Sequence, residues 1–102
     1  WMADRGYRDS PLVITEYGIL MPRELGYGPE RVQKFMLGTF DFLMTARDPN
    51  TGLPSDDNRL VQRWAWFSLA DPIYPNGNLT DPISNRLTPL GMTYREYLTS
   101  LR

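Results

Sequence analysis

The residues best placed to do chemistry in this chain are carboxylates, and the first of them is Glu16. It closes the run Leu12-Val13-Ile14-Thr15-Glu16 and is followed by Tyr17 and Gly18. A carboxylate at the end of such a run suits proton transfer or nucleophilic attack. Two further features stand near the middle of the chain. Trp64 and Trp66 lie two residues apart, so on a strand they share one face. Asp71 follows a few residues later. The chain has no His and no Cys. That excludes disulfides, zinc sites, Ser-His-Asp triads and Cys-His dyads. Chemistry is left to carboxylates, tyrosines, lysine and hydroxyls.

Composition narrows the field further. Of 102 residues, 41% are hydrophobic and 23% charged, which is a globular balance rather than a disordered one. The net charge of −1 leaves no basic footprint for nucleic acid. No apolar run approaches the about 18 residues that suggest a membrane span. Asp48, Asn50, Asp56 and Asp57 have the flavour of a calcium loop. They lack the glycine and glutamate spacing of an EF-hand and read as turn-forming residues. Asn78-Leu79-Thr80 is a glycosylation sequon for a chain made in a secretory pathway. No cofactor or metal is implied.

The elements that must position these residues alternate. Residues 1–5 read as the last turns of a helix, capped by Gly6 in the left-handed conformation. Residues 12–16 are apolar at consecutive positions, as in a parallel strand buried on both faces. Gly18 permits a sharp turn. A helix begins at Pro29, where proline suits the first turn, and carries Val32, Phe35, Met36, Thr39, Phe40 and Leu43 at helical spacing. It ends near Arg47, because Pro49 disfavours helix at Asp48. Residues 48–60 are turn chemistry, 61–69 a second strand, and 70–87 a long loop. Thr88 caps a last helix with Pro89 at its first position, and Leu90, Tyr94, Tyr97, Leu98 and Leu101 form its apolar face. Strands alternating with helices predict an α/β fold with parallel pairing. Two parallel strands cannot bury both faces alone, so the expectation is one part of something larger.

Three segments carry a resemblance. Pro11-Leu12-Val13-Ile14-Thr15-Glu16-Tyr17-Gly18 resembles the seventh-strand signature of clan A (β/α)8-barrel glycoside hydrolases. Arg63-Trp64-Ala65-Trp66-Phe67-Ser68-Leu69 resembles strand eight, and Leu87-Thr88-Pro89-Leu90-Gly91-Met92-Thr93-Tyr94 is similar to the start of the final helix. Together they look most like the alkali-sensitive-linkage-protein-like glycosyl hydrolases, the family 128 group. The resemblance implies that residues 1–102 are the C-terminal portion of a TIM barrel. They would run from the end of the sixth helix through the seventh strand and helix to the eighth strand and helix. At about 31 residues per unit, that scale fits.

The resemblance also implies a retaining hydrolase of O-glycosyl bonds in a β-glucan-type polysaccharide, with Glu16 as nucleophile. The plain alternative for Glu16 is a solvated residue at a strand end, and the surrounding motif weighs against it. Trp66 is the expected sugar platform, with core filling as the alternative, and Trp64 reads equally as core or site. Tyr17 either hydrogen-bonds near the nucleophile or caps the barrel rim. Asp71 either contacts a sugar hydroxyl or caps the turn made with Pro72. Arg63, of opposite parity to the tryptophans, is expected to face the helices. The acid/base Glu belongs after strand four, in a missing N-terminal part, so the isolated chain is expected to be inactive. The family leans toward export to the cell surface or beyond. Two other readings stand beside this one: a non-catalytic carbohydrate-binding or structural remnant, and a truncated reading frame without function.

Overall fold

A computed structural model describes residues 1–101. In chain order it contains strand β1 (Val13–Tyr17), helix α1 (Pro29–Thr45), strand β2 (Arg63–Trp66) and helix α2 (Pro89–Ser100). Short 3-10 turns lie at Ala3–Arg5, Arg23–Leu25, Pro54–Asp56 and Pro75–Gly77. The two strands pair directly. The residues just before each strand meet first: the Leu12 carbonyl accepts from the Gln62 N–H at 3.0 Å, and the Leu12 N–H donates to Gln62 Oε1 at 2.7 Å. Start beside start is parallel pairing, and α1 lies in the crossover, as a parallel connection requires. The protein is thus a small α/β fold. No helix among the described residues is long and apolar enough to cross a membrane.

The chain divides into two compact units. The first joins Trp1–Tyr17 to Gly38–Ala65. Its N-terminal turn is a single 3-10 turn rather than the end of an α-helix, closed by Gly6 at φ 78°. The core sits under the C-terminal half of α1, where Phe40, Leu43 and Val61 are buried and the Phe40 and Trp64 rings lie 6.1 Å apart. The segment after α1 folds on itself. Arg47 and Leu53 each form an antiparallel bridge with Arg59. The Arg8 side chain donates to the carbonyls of Pro49 and Gly52 and to Asn58 Oδ1.

The second unit joins Gly18–Leu37 to the chain from Trp66 onward. Val32 and Met36 of α1 are buried with Ile19, Trp66 and Leu90. The helical stripe expected on α1 is therefore real, although Phe35 remains 38% exposed at its edge. The start of α2 follows the sequence closely: the Thr88 hydroxyl accepts from the Gly91 N–H at 3.0 Å, with Pro89 behind it. A polar bond ties the helices together, since Gln33 Nε2 donates to Thr93 Oγ1 at 2.8 Å. The apolar face of α2 is only half used, because Leu90 is buried while Leu98 and Leu101 stay exposed.

Both strands differ from expectation in ways with physical causes. β1 is shifted by one residue, so Tyr17 ends it and Glu16 is penultimate. It is not buried on both faces, for Val13, Thr15 and Glu16 are exposed. β2 stops at Trp66 instead of running to 69. Beyond it the backbone finds other partners: the Ser68 carbonyl accepts from the Leu79 N–H and the Leu69 carbonyl from the Thr80 N–H.

The loops are held by aspartates that accept backbone N–H groups, as the turn reading of Asp48 anticipated. The N–H groups of Asn50 and Thr51 hold the Asp48 carboxyl below the ordinary carboxylate range. Arg59 does the same for Asp56, and the Ser84 and Ile83 N–H groups for Asp81. A carboxyl whose pKa is lower in the folded than in the unfolded chain stabilises the fold above the unfolded value. That contribution is lost as pH falls through the folded value. Thermal melts should therefore show stability flat near neutrality and declining below about pH 5. Asn at positions 48, 56 and 81 keeps an acceptor without a titrating proton, so the triple variant should show a shallower acid slope. An unchanged slope would mean that other groups set it.

Candidate functional site

Contacts within the first unit decide which way the strand side chains face. The Tyr17 hydroxyl lies 3.1 Å from Thr39 Oγ1 on α1, and Trp64 packs on Phe40 of the same helix. Tyr17 and Trp64 thus face the helix. Alternation along each strand then puts Ile14 and Glu16, with Arg63 and Ala65, on the opposite face. Glu16, Arg63 and Ala65 are exposed there and Ile14 is half-buried. Arg63 was expected toward the helices; it stands on the open face instead. The Glu16 carboxylate has no hydrogen bond or ion pair among the described residues. It is held by a paired strand near its C-terminal end, with its oxygens uncommitted. Such a group can attack an electrophilic carbon or accept a proton.

Trp66 is not a platform in this structure. It is 9% exposed, its ring lies 6.2 Å from that of Phe35, and its Nε1–H donates to the Gly77 carbonyl at 2.8 Å. An indole covered by a helix and bonded through its only donor is core. Trp64, half-buried on Phe40, takes the core side of its two readings. Tyr17 likewise belongs to the strand–helix contact and not to the face that carries Glu16.

Asp71 adopts the capping alternative. Its Oδ1 accepts from the Ile73 and Tyr74 N–H groups, both at 2.8 Å. Its own backbone is gripped by Asn78, whose Oδ1 accepts from the Asp71 N–H at 2.7 Å and whose Nδ2 donates to the Asp71 carbonyl at 2.8 Å. Asn78 Oδ1 also accepts from the Ser68 hydroxyl at 2.9 Å. The asparagine of the sequon is therefore a buried hub, 4% exposed.

Sequence reasoning read the stretches after the two strands as loops and took only Asp71 from them as a candidate contact. Gly18 leaves β1 against the turn beyond β2, where a Cβ would stand 2.2 Å from the Phe67 carbonyl oxygen. Only glycine tolerates that approach. Asn76 Nδ2 then clips the loops together, donating to the Met21 carbonyl at 2.7 Å and the Tyr27 carbonyl at 3.1 Å. Between them lies a crevice of about 270 Å³, lined among others by Leu20, Met21, Arg23, Glu24, Ile73 and Tyr74. The available signal was composition: large apolar residues inside a stretch that otherwise reads as loop. A second cavity, of about 370 Å³, opens where α1 and α2 begin. Its Gln33, Asn78 and Thr88 side chains are engaged in bonds within the fold.

Among the described residues no group of three or more His, Cys, Asp or Glu side chains could hold a metal ion. Comparison with protein-family models, with curated proteins and with solved structures gives no match.

Proposed function

We propose that this chain is the C-terminal portion of a (β/α)8 barrel in a retaining glycoside hydrolase that cuts O-glycosyl bonds of a β-glucan-type polysaccharide, with Glu16 as nucleophile. The observation that carries the reading is the placement of Glu16. It sits near the C-terminal end of a parallel strand, on the face turned away from the crossover helix. In a (β/α)8 barrel the helices cover the outside, so that face is the interior, and catalytic groups come from the C-terminal strand ends. On the same face Ala65 is exposed and Ile14 only half-buried, as on a strand face whose covering layer is absent.

In this reaction the Glu16 carboxylate attacks the anomeric carbon as the glycosidic C–O bond breaks. The departing oxygen takes a proton from an acid supplied by the rest of the barrel, about 5 Å away. Water, deprotonated by the same group, then displaces Glu16 with net retention. No cofactor takes part.

The test is to trap the intermediate. The protein with its complete barrel is treated with a 2-deoxy-2-fluoroglucosyl fluoride, digested, and analysed by mass spectrometry. The fluoroglucosyl label is expected on the peptide containing Glu16 and absent from the Glu16→Gln variant. A label on any other carboxylate rejects the assignment.

A further inference from the structure

The crevice beyond the strand ends has the make-up of a sugar subsite, and none of its lining residues belongs to the chemistry proposed above. In α/β folds, ligands bind in crevices outside the carboxyl ends of parallel strands, where the loops gather. Both walls here are such loops, one following β1 and the other following β2. The crevice is prearranged. Asn76 ties one wall to the other through Met21 and Tyr27, and Asp71 fixes the Ile73 and Tyr74 N–H groups.

Its surface is mixed. Leu20, Met21 and Tyr74 are each more than two-fifths exposed, and Ile73 more so. They share the lining with Arg23 and Glu24, one donor-rich cation and one acceptor anion. A pyranose ring presents the matching pair of surfaces, an apolar C–H face and a hydroxyl rim. The opposite charges of Arg23 and Glu24 suit a neutral sugar rather than a charged one.

We propose that this crevice binds one ring of a neutral β-gluco-oligosaccharide, with Tyr74 as the stacking surface and Arg23 and Glu24 as hydroxyl partners. The choice of sugar rests on the glycosidase reading; the crevice itself does not. Asp71 is then a positioning residue, acting through the backbone of Tyr74 rather than touching sugar.

The experiment is an NMR titration of the chain with a neutral β-gluco-oligosaccharide, repeated with a glucuronate oligosaccharide. Resonance shifts should centre on Met21, Ile73 and Tyr74. Tyr74→Ala should weaken binding about tenfold, in keeping with the loss of one ring contact. Tyr74→Phe, which keeps the ring, should stay within about twofold. Tyr74 is exposed, so both variants should keep the wild-type dispersion of the spectrum. No binding, tighter binding of the glucuronate probe, or affinity unchanged in Tyr74→Ala would each overturn the proposal. Binding that survives Tyr74→Ala but vanishes in Glu16→Gln also overturns it, while leaving the nucleophile reading intact. Tyr74-dependent binding beside a covalent probe that misses Glu16 keeps the crevice and rejects the nucleophile.

Discussion

Replacing Glu16 with Ala in the complete enzyme is expected to lower kcat on β-glucan by roughly four orders of magnitude, with thermal stability unchanged. The two halves of this expectation have different origins. Removing the nucleophile of a covalent mechanism eliminates the step that every turnover requires, and losses of about that size follow in other enzymes with covalent intermediates. Stability should hold because the carboxylate has no hydrogen-bond or ion-pair partner among the described residues, so its removal strands no group of this chain. Azide makes the assignment specific. A small anion can enter the space left by the carboxylate and attack the same anomeric carbon. The product should be a glycosyl azide of inverted configuration, whereas the native enzyme retains it. Turnover within tenfold of wild type, or azide without effect on the variant, would reject the nucleophile role. The isolated chain gives a companion result. It should hydrolyse nothing, since the proposed mechanism takes its acid/base from outside this chain, and Glu16-dependent hydrolysis by the chain alone would overturn that division of labour.

The parts of this fold that follow local rules were legible in advance. Thr88-Pro89 specifies the start of α2 because a hydroxyl cap and a proline each satisfy a helix terminus by themselves. The α1 stripe through Val32, Met36, Phe40 and Leu43 is a period, and a period survives any context. What escaped is what depends on three-dimensional choices. A spacing of two says that Trp64 and Trp66 share a face; it does not say which face the crossover helix will cover. The structure puts α1 there through Phe35 and Phe40, which makes the indoles core. That placement also weighs against a carbohydrate-binding remnant built on those two residues. The apolar run past Trp66 continued to look like strand, yet residues 68 and 69 are claimed by residues 79 and 80, a pairing with no local signature. Asp71 carried two readings, and Asn78, seven residues further along the chain, selects between them by gripping the Asp71 backbone.

That grip sets the largest stability effect expected in the second unit. Asn78→Ala should destabilise the fold by about 3 kcal/mol, read as a shift in the urea midpoint. The side chain serves three groups at once: the Ser68 hydroxyl, the Asp71 N–H and the Asp71 carbonyl. Each buried group left without a partner costs about 1–3 kcal/mol, and the three are coupled, so their costs do not simply add. Against a typical stability of about 5–15 kcal/mol the loss is large. Asn78→Asp separates the polar network from mere cavity formation. It keeps one acceptor oxygen but turns the other toward the Asp71 carbonyl, and at neutral pH it buries an uncompensated charge. Protonation restores a donor at that place, so the penalty of Asn78→Asp relative to wild type should shrink on acidification, while that of Asn78→Ala should not. The same geometry bears on the sequon. An Nδ2 already donated, on a residue only 4% exposed, cannot carry a glycan in the folded chain, so material secreted from a glycosylating host should show the unmodified mass. A glycan on Asn78 in folded protein, or an Asn78→Ala midpoint equal to wild type, would mean that the hub does not hold this loop.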